Sequence, residues 1–246
     1  MQQNLPIEEL QKIERESTKE IRSWAISYLD SKETYYRKIV SYVEENLQSP
    51  ILEIGSTPCH LTYIIKDLGY DITGLDLDPE RSKNVIEAGG LDVRECNIER
   101  EKFPVEDNSM SGVIMTEVLE HLRVDPLWTL REIHRVLRPG GNLLLTTPNL
   151  FSIYTLYNVM TTGKFNDPYE EYDKIRTLGH MGHVREYTAA EVKSLLEKTN
   201  FEVVSHNYAQ WEKKNWSERT LKHNIAVLFS RSIPILRKKQ VIISKV

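Results

Sequence analysis

The sequence predicts an α/β fold built on a parallel sheet, and three observations carry that expectation. After Pro50, short apolar runs alternate with helical patterns, beginning with "ILEI", "LTYIIKDLG" and "YDITGLDLD". Strands separated by helices of about ten to fifteen residues are βαβ units, whose right-handed crossovers lay the strands parallel. Chemistry-bearing residues also gather where the first four expected strands end: Glu53 and Gly55, then Asp76, then Cys96, Asn97 and Ile98, then "TEVLEHL". In an open parallel sheet the ligand lies beyond these carboxyl ends, where the strand order reverses.

Residues 1–49 come first. Ile7, Leu10, Ile13, Ile21, Trp24, Ala25 and Tyr28 recur at mostly three- and four-residue steps, which predicts an amphipathic helix, and Tyr36, Ile39, Val40, Val43 and Leu47 predict a second. The aromatic stripe Trp24, Tyr28, Tyr35 and Tyr36 reads as core packing, with a lid over a substrate pocket as the sharper alternative. The chain therefore divides into a helical extension or lid, 1–49, and an α/β domain, 50–246.

Within that domain, Asp78 with Pro79 at the first position opens a helix after the second strand; "LDVREC" and "SGVIMTEV" follow as strands. Asp125 and Pro126 open a helix carrying Leu127, Leu130, Ile133 and Leu137, expected to stop at "RPGG" with Gly140 or Gly141 as the left-handed residue. "NLLLTTP" is the next strand. Thr188 and Glu191 form a capping box for a helix bearing Val192, Leu195 and Leu196, "FEVVSH" follows as a strand, and "QVIISKV" is the last. Residues 150–187 are long for a loop in a compact domain, a length typical of lids and binding segments.

Composition excludes several classes. A net charge of −4 gives no global attraction to nucleic acid. No apolar run reaches about 18 residues, so neither a membrane span nor a secretory h-region is expected and the cytoplasm is the default. Cys59 and Cys96 form no CxxC pair, which fits a reducing compartment. The tail "IAVLFSRSIPILRKKQVII" mixes apolar residues with Arg231, Arg237, Lys238 and Lys239; it reads as a helix and strand packed on the sheet, with peripheral contact to an anionic membrane as the alternative.

Asp76 lies 21 residues beyond Gly55, the separation at which a carboxylate can accept hydrogen bonds from both hydroxyls of a ribose. Asn97 and Ile98 offer a polar edge and an apolar wall to a purine. Together "LEIGS", "GLDLDPE", "CNIEREKFPVEDNSM", "EVLEHL", "LREIHRVLRPGGNLLLTTPN" and "HVREYTAAEVKSLLEKTNFEVV" resemble the class I S-adenosylmethionine-dependent methyltransferases, over roughly residues 50–208. The branch in view is the bacterial and archaeal one that modifies glycans, quinones and small metabolites.

That resemblance implies a Rossmann-like seven-stranded sheet of order 3-2-1-4-5-7-6 with helices on both faces, "QVIISKV" being the antiparallel seventh strand. It implies S-adenosylmethionine as the cofactor, held by Glu53, Gly55 and Thr57 of the first loop, Asp76 at the ribose, Leu77 at the adenine, Asn97 and Ile98 at its edge, and Thr116 and Glu117 after the fourth strand. His121 matches the family's "LEH" histidine. The implied reaction is methyl transfer to a small-molecule or glycan acceptor, preferably at oxygen.

Two departures qualify the match. The family's first motif reads ExGxGxG, and Thr57 and Cys59 stand where the second and third glycines would give positive φ and close backbone approach. Its "SFD" before the fourth strand is Ser109, Met110 and Ser111 here. For a hydroxyl acceptor a general base helps, and the candidates are His121 and, in "GHMGHVREYT", His180 and His183 beside Arg185 and Tyr187. Tyr154, Tyr157, Tyr169 and Tyr172 could stack on a ring. No metal is expected, because no third ligand is spaced to join His180 and His183. Two rivals stay open: a non-catalytic scaffold or partner subunit with weakened donor binding, and a nicotinamide-dependent oxidoreductase, which would need the GxGxxG turn that "GSTPCH" lacks. The sequence sets no oligomeric state.

Overall fold

The computed structural model of the protein describes residues 5–17, 19–178, 182–211, 230 and 232–246. In chain order it contains α1 (Ile7–Arg15), α2 (Lys19–Asn46), β1 (Ile51–Ile54), α3 (His60–Asp67), β2 (Ile72–Asp76), α4 (Lys83–Gly89), β3 (Asp92–Glu95) and β4 (Met110–Thr116). Then follow α5 (Pro126–Val136), β5 (Leu137–Pro148), α6 (Ile153–Thr162), α7 (Pro168–Leu178), α8 (Ala189–Lys198), β6 (Glu202–Ala209) and β7 (Lys239–Lys245).

The seven strands form one sheet of order β3-β2-β1-β4-β5-β7-β6. Strands β1 to β5 run parallel, and β7 inserts antiparallel between β5 and β6. Because side chains alternate across a strand, each central strand feeds two cores. Ile51, Ile114, Leu144, Val241 and Ile243 pack on the face covered by α1, α2 and α3. Leu52, Val113, Met115, Leu143, Leu145 and Ile242 pack on the other, against Leu130 and Ile133 of α5 and Val192 and Leu196 of α8.

The N-terminal helices are part of this packing. Glu14 of α1 pairs with the fully buried His60 of α3 at 2.7 Å, and Tyr36 of α2 bonds the other ring nitrogen of His60 at 3.3 Å. Tyr36, Ile39, Val43 and Leu47 of α2 all lie in the first core.

Local signals mostly hold, with informative exceptions. Asp125 caps α5 by accepting from the Leu127 amide at 2.9 Å, and Thr188 and Glu191 close a capping box on α8. Asp78 makes no side-chain cap bond, and the chain after it turns through a 3-10 segment, Pro79–Ser82, before α4 begins. Helix α5 does not reach "RPGG": it ends at Val136, Leu137 is already extended, and Gly140 uses its φ of +79° within β5. Sheet pairing with Met110 captures Leu137 before the glycines can terminate a helix. Residues 150–187 are an insertion built around two helices, α6 and α7. Residues 212–229, which include the first five of the tail, and Arg231 lie outside the described residues. Among those described, no helix is long and apolar enough to cross a membrane.

Candidate active site

Since β1 to β4 are parallel, their carboxyl ends meet at one edge of the sheet, and there a cleft of about 300 Å³ opens. Its walls include Glu53, Gly55, Thr57, Asp76, Leu77, Asn97, Ile98, Thr116, Glu117, His121 and His183. Eleven of the twelve site residues expected from sequence are thus brought together; the twelfth, His180, lies outside the described residues.

The loop after β1 owes its shape to three residues. Gly55 has φ +72°, and a Cβ there would stand 2.6 Å from Cγ2 of Val118, so both conformation and space demand glycine. Cys59 adopts φ +63° at the start of α3. It therefore takes up the left-handed conformation for which the family motif uses glycine, and burial pushes its thiol up to about 12, leaving it inert. Asp76 holds the middle: one carboxylate oxygen accepts the Thr57 amide at 2.9 Å, the other the Asp78 amide at 3.0 Å. Each oxygen keeps capacity for a further donor.

Glu53 is fully enclosed and accepts the Thr62 hydroxyl at 2.5 Å; burial, reinforced by the Asp76 charge, pushes its pKa up to about 8. Thr57 lines the cleft, and its hydroxyl is buried without a hydrogen-bond partner. At the β3 end, the Asn97 amide bonds Glu101 at 2.8 Å and its side-chain oxygen takes the Glu99 amide at 3.2 Å, fixing the turn that carries Ile98.

The β4 end carries charge. Glu117 sits at φ +56°, unusual for a non-glycine residue and typical of sites where strain serves a purpose. Burial works against its ionisation, but Lys239 of β7, in direct contact, together with Lys32 holds it below the usual carboxylate range. Thr146 donates to its other oxygen at 3.0 Å and meets the Tyr35 hydroxyl at 3.2 Å. Three residues on, Glu120 is fully buried, and burial next to Glu117 pushes it up to about 8. Burial likewise takes His121 down to about 4. Its Nδ1 lies 2.9 Å from the Gly182 carbonyl, which can only accept, so Nδ1 carries the proton and Nε2 is the acceptor nitrogen. For His183 burial opposes charge, yet Glu186, Glu120 and Glu171 outweigh it and raise the pKa. The two imidazoles stand edge to face, centroids 4.9 Å apart.

Other expected candidates serve the frame. Arg185 pairs with Glu191 at 2.6 Å and lies over Tyr187, whose carbonyl accepts from Gln240 at 2.7 Å. Tyr154, Tyr157, Tyr169 and Tyr172 are not among the cleft residues, and the last two are 78% and 70% exposed. Sequence reasoning missed Glu120, Lys32 and Lys239 as site residues. Glu120 was legible in principle as the second acid of "EVLEH"; the lysines were not, because only the folded sheet brings β7 and α2 to the end of β4.

Comparison with known proteins decides the family. The model of a methyltransferase domain matches residues 28–206, well over half the chain. The chain belongs to this methyltransferase family. Its relatives include the "Probable S-adenosylmethionine-dependent methyltransferase" of Mycolicibacterium smegmatis, 31% identical over 154 residues that cover 62% of this chain and 52% of that one. The chain spans about half the length of the curated relatives it matches. Among solved structures, a SAM-dependent methyltransferase from Archaeoglobus fulgidus shares the fold with a TM-score of 0.60 at 18% identity, covering 88% of this chain and 95% of that one. A methyltransferase from Thermotoga maritima, described as a possible histamine N-methyltransferase, does so at 0.59 and 16%, covering 96% and 99%. S-adenosylmethionine is the cofactor that goes with this methyltransferase fold, and the cleft fits such a group: the acid Asp76, the close-approach Gly55 and Thr57 all line it. The match also removes the nicotinamide reading.

Proposed function

We propose that the protein transfers the methyl group of S-adenosylmethionine to a hydroxyl of a small molecule or glycan. The donor supplies a sulfonium methyl, an electrophile needing no activation by the protein. The chain's residues then bind, orient and exclude water. Along the strand ends, β3 and β2 carry the adenine wall and the ribose acid, and β1 carries the glycine loop. The next strand, β4, carries His121 and, beside it, His183; this reading seats the acceptor there.

The observation that carries the oxygen preference is the state of His121. Its ring is neutral, oriented by the Gly182 carbonyl, and offers an acceptor nitrogen where a hydroxyl would need one. In this reading α2 covers the cleft through Tyr28, Tyr35 and Tyr36, while α7 fixes the His183 amide by accepting it on Glu171 at 2.8 Å. Two buried free thiols support a reducing, cytoplasmic setting.

The test is transfer of labelled methyl from S-adenosylmethionine to a panel of hydroxyl and amine acceptors. Labelled ether products, with His121→Ala lowering kcat while donor affinity holds, are the expected result. Exclusive labelling of amines would refute the oxygen assignment, and no transfer with intact donor binding would favour the scaffold reading.

A further inference from the structure

Glu120, His121 and His183 each bring one potential ligand atom to the same place, the three atoms lying within 4.8 Å of one another. The histidine pair that spacing singled out, His180 and His183, lacked a third ligand; the fold supplies two from the end of β4. We infer that these residues bind one divalent first-row transition ion at the wall of the cleft.

Four features support a built site. Glu120 is fully buried; its Oε2 accepts the Thr147 hydroxyl at 3.0 Å, but its Oε1 is buried with no hydrogen-bond partner. An unsatisfied carboxylate oxygen in that setting is costly unless something binds it. Both imidazoles have Nδ1 engaged behind them, His121 by the Gly182 carbonyl at 2.9 Å and His183 by the Glu186 carboxylate at 3.4 Å. That is how metal-binding histidines are commonly oriented, with Nε2 turned to the ion. The backbone is locked as well: the Glu120 carbonyl accepts the Val184 and Arg185 amides at 2.9 and 3.3 Å, tying the segment that carries His183 to the turn that carries the other two. Finally, Glu171 and Glu186 add negative potential around His183, while Lys239 is taken up by Glu117.

Two imidazoles and one carboxylate suit zinc, manganese or iron, with further positions open to oxygen ligands. All three residues line the cleft, so water or the acceptor's hydroxyl would fill those positions. With the ion bound, His121 Nε2 is a ligand, and the ion in place of that nitrogen would favour loss of the proton from the acceptor's hydroxyl; this role rests on the oxygen reading above, and the binding of the ion does not.

The test uses chelator-stripped full-length protein titrated with manganese(II), free ion being read by electron paramagnetic resonance with no donor or acceptor present. Saturable binding of one ion per chain is expected, displaced by zinc(II). His183→Ala, at a partly exposed position that tolerates truncation, and Glu120→Gln should each weaken it by about tenfold or more. Thermal unfolding of metal-free His183→Ala should remain cooperative, as in the wild type, which shows that the fold is intact. Absence of saturable binding, or equal binding by both variants, overturns the site. Either result is independent of whether methyl transfer to oxygen is found.

Discussion

The carboxylate of Asp76 accepts the backbone amide of Thr57 at 2.9 Å, so the acid at the end of β2 also holds the loop after β1. A loop short of glycines is thereby held in place by a side chain from the neighbouring strand. If Asp76 also binds the donor's ribose, as proposed above, donor recognition and loop order depend on one side chain.

Thr57 itself offers the first prediction. Its hydroxyl is buried without a partner, a cost of about 1–3 kcal/mol. Thr57→Val keeps the shape and removes that cost. Thermal unfolding should show a variant about 1 kcal/mol more stable, and calorimetry should show weaker S-adenosylhomocysteine binding. Unchanged affinity would mean that the hydroxyl does not face the donor.

Gly55→Ala should destabilise the loop by roughly 1–3 kcal/mol, through positive φ and collision with Val118. The Val118 Cβ stands 3.8 Å from the added methyl, an ordinary contact. Val118→Ala should therefore recover the steric part and leave the conformational part. A double-mutant cycle in denaturant measures this coupling; strict additivity would refute the clash.

The third prediction concerns pH. The Glu53 pKa rises from an unfolded value of 4.5 to about 8 in the fold. The folded state then holds the proton more tightly, so its contribution is full below the unfolded value and is lost as pH rises toward 8. Stability should fall between pH 5 and 8, and Glu53→Gln should flatten that fall. Identical slopes in wild type and variant would contradict it.

Lys239→Met leaves Glu117 enclosed without its ammonium partner. Since both groups keep some exposure, a loss of about 2–3 kcal/mol is expected, below the full cost of breaking a buried pair. Adding Glu117→Gln should restore much of it, as read by thermal unfolding. No rescue would mean that Lys239 acts through packing alone.

Much of this was legible in the sequence because the central strands are short, apolar and separated by short helices, and because the cleft residues follow strand ends in order. "QVIISKV" was recognisable as the last strand. The end of α5 was misread since pairing with β4, a long-range interaction, captures Leu137 before "RPGG" can act as a stop. The doubt over Thr57 and Cys59 resolves in backbone terms: Cys59 adopts the left-handed angle itself, and Asp76 takes the Thr57 amide. Glycine counting reports neither effect. The acidic and imidazole cluster of Glu120, His121 and His183 joins segments about sixty residues apart, so spacing alone could not show it.

On the reading proposed above, this glycine-poor loop, held by Asp76, binds the methyl donor. Calorimetric titration of the wild-type protein and Asp76→Ala with S-adenosylhomocysteine tests it most directly. One site of about micromolar affinity is expected in the wild type, weakened more than about tenfold in the variant, since hydrogen bonds to a charged acceptor contribute roughly 1.5–3 kcal/mol each. No binding by the wild type, or equal binding by both proteins, would contradict it.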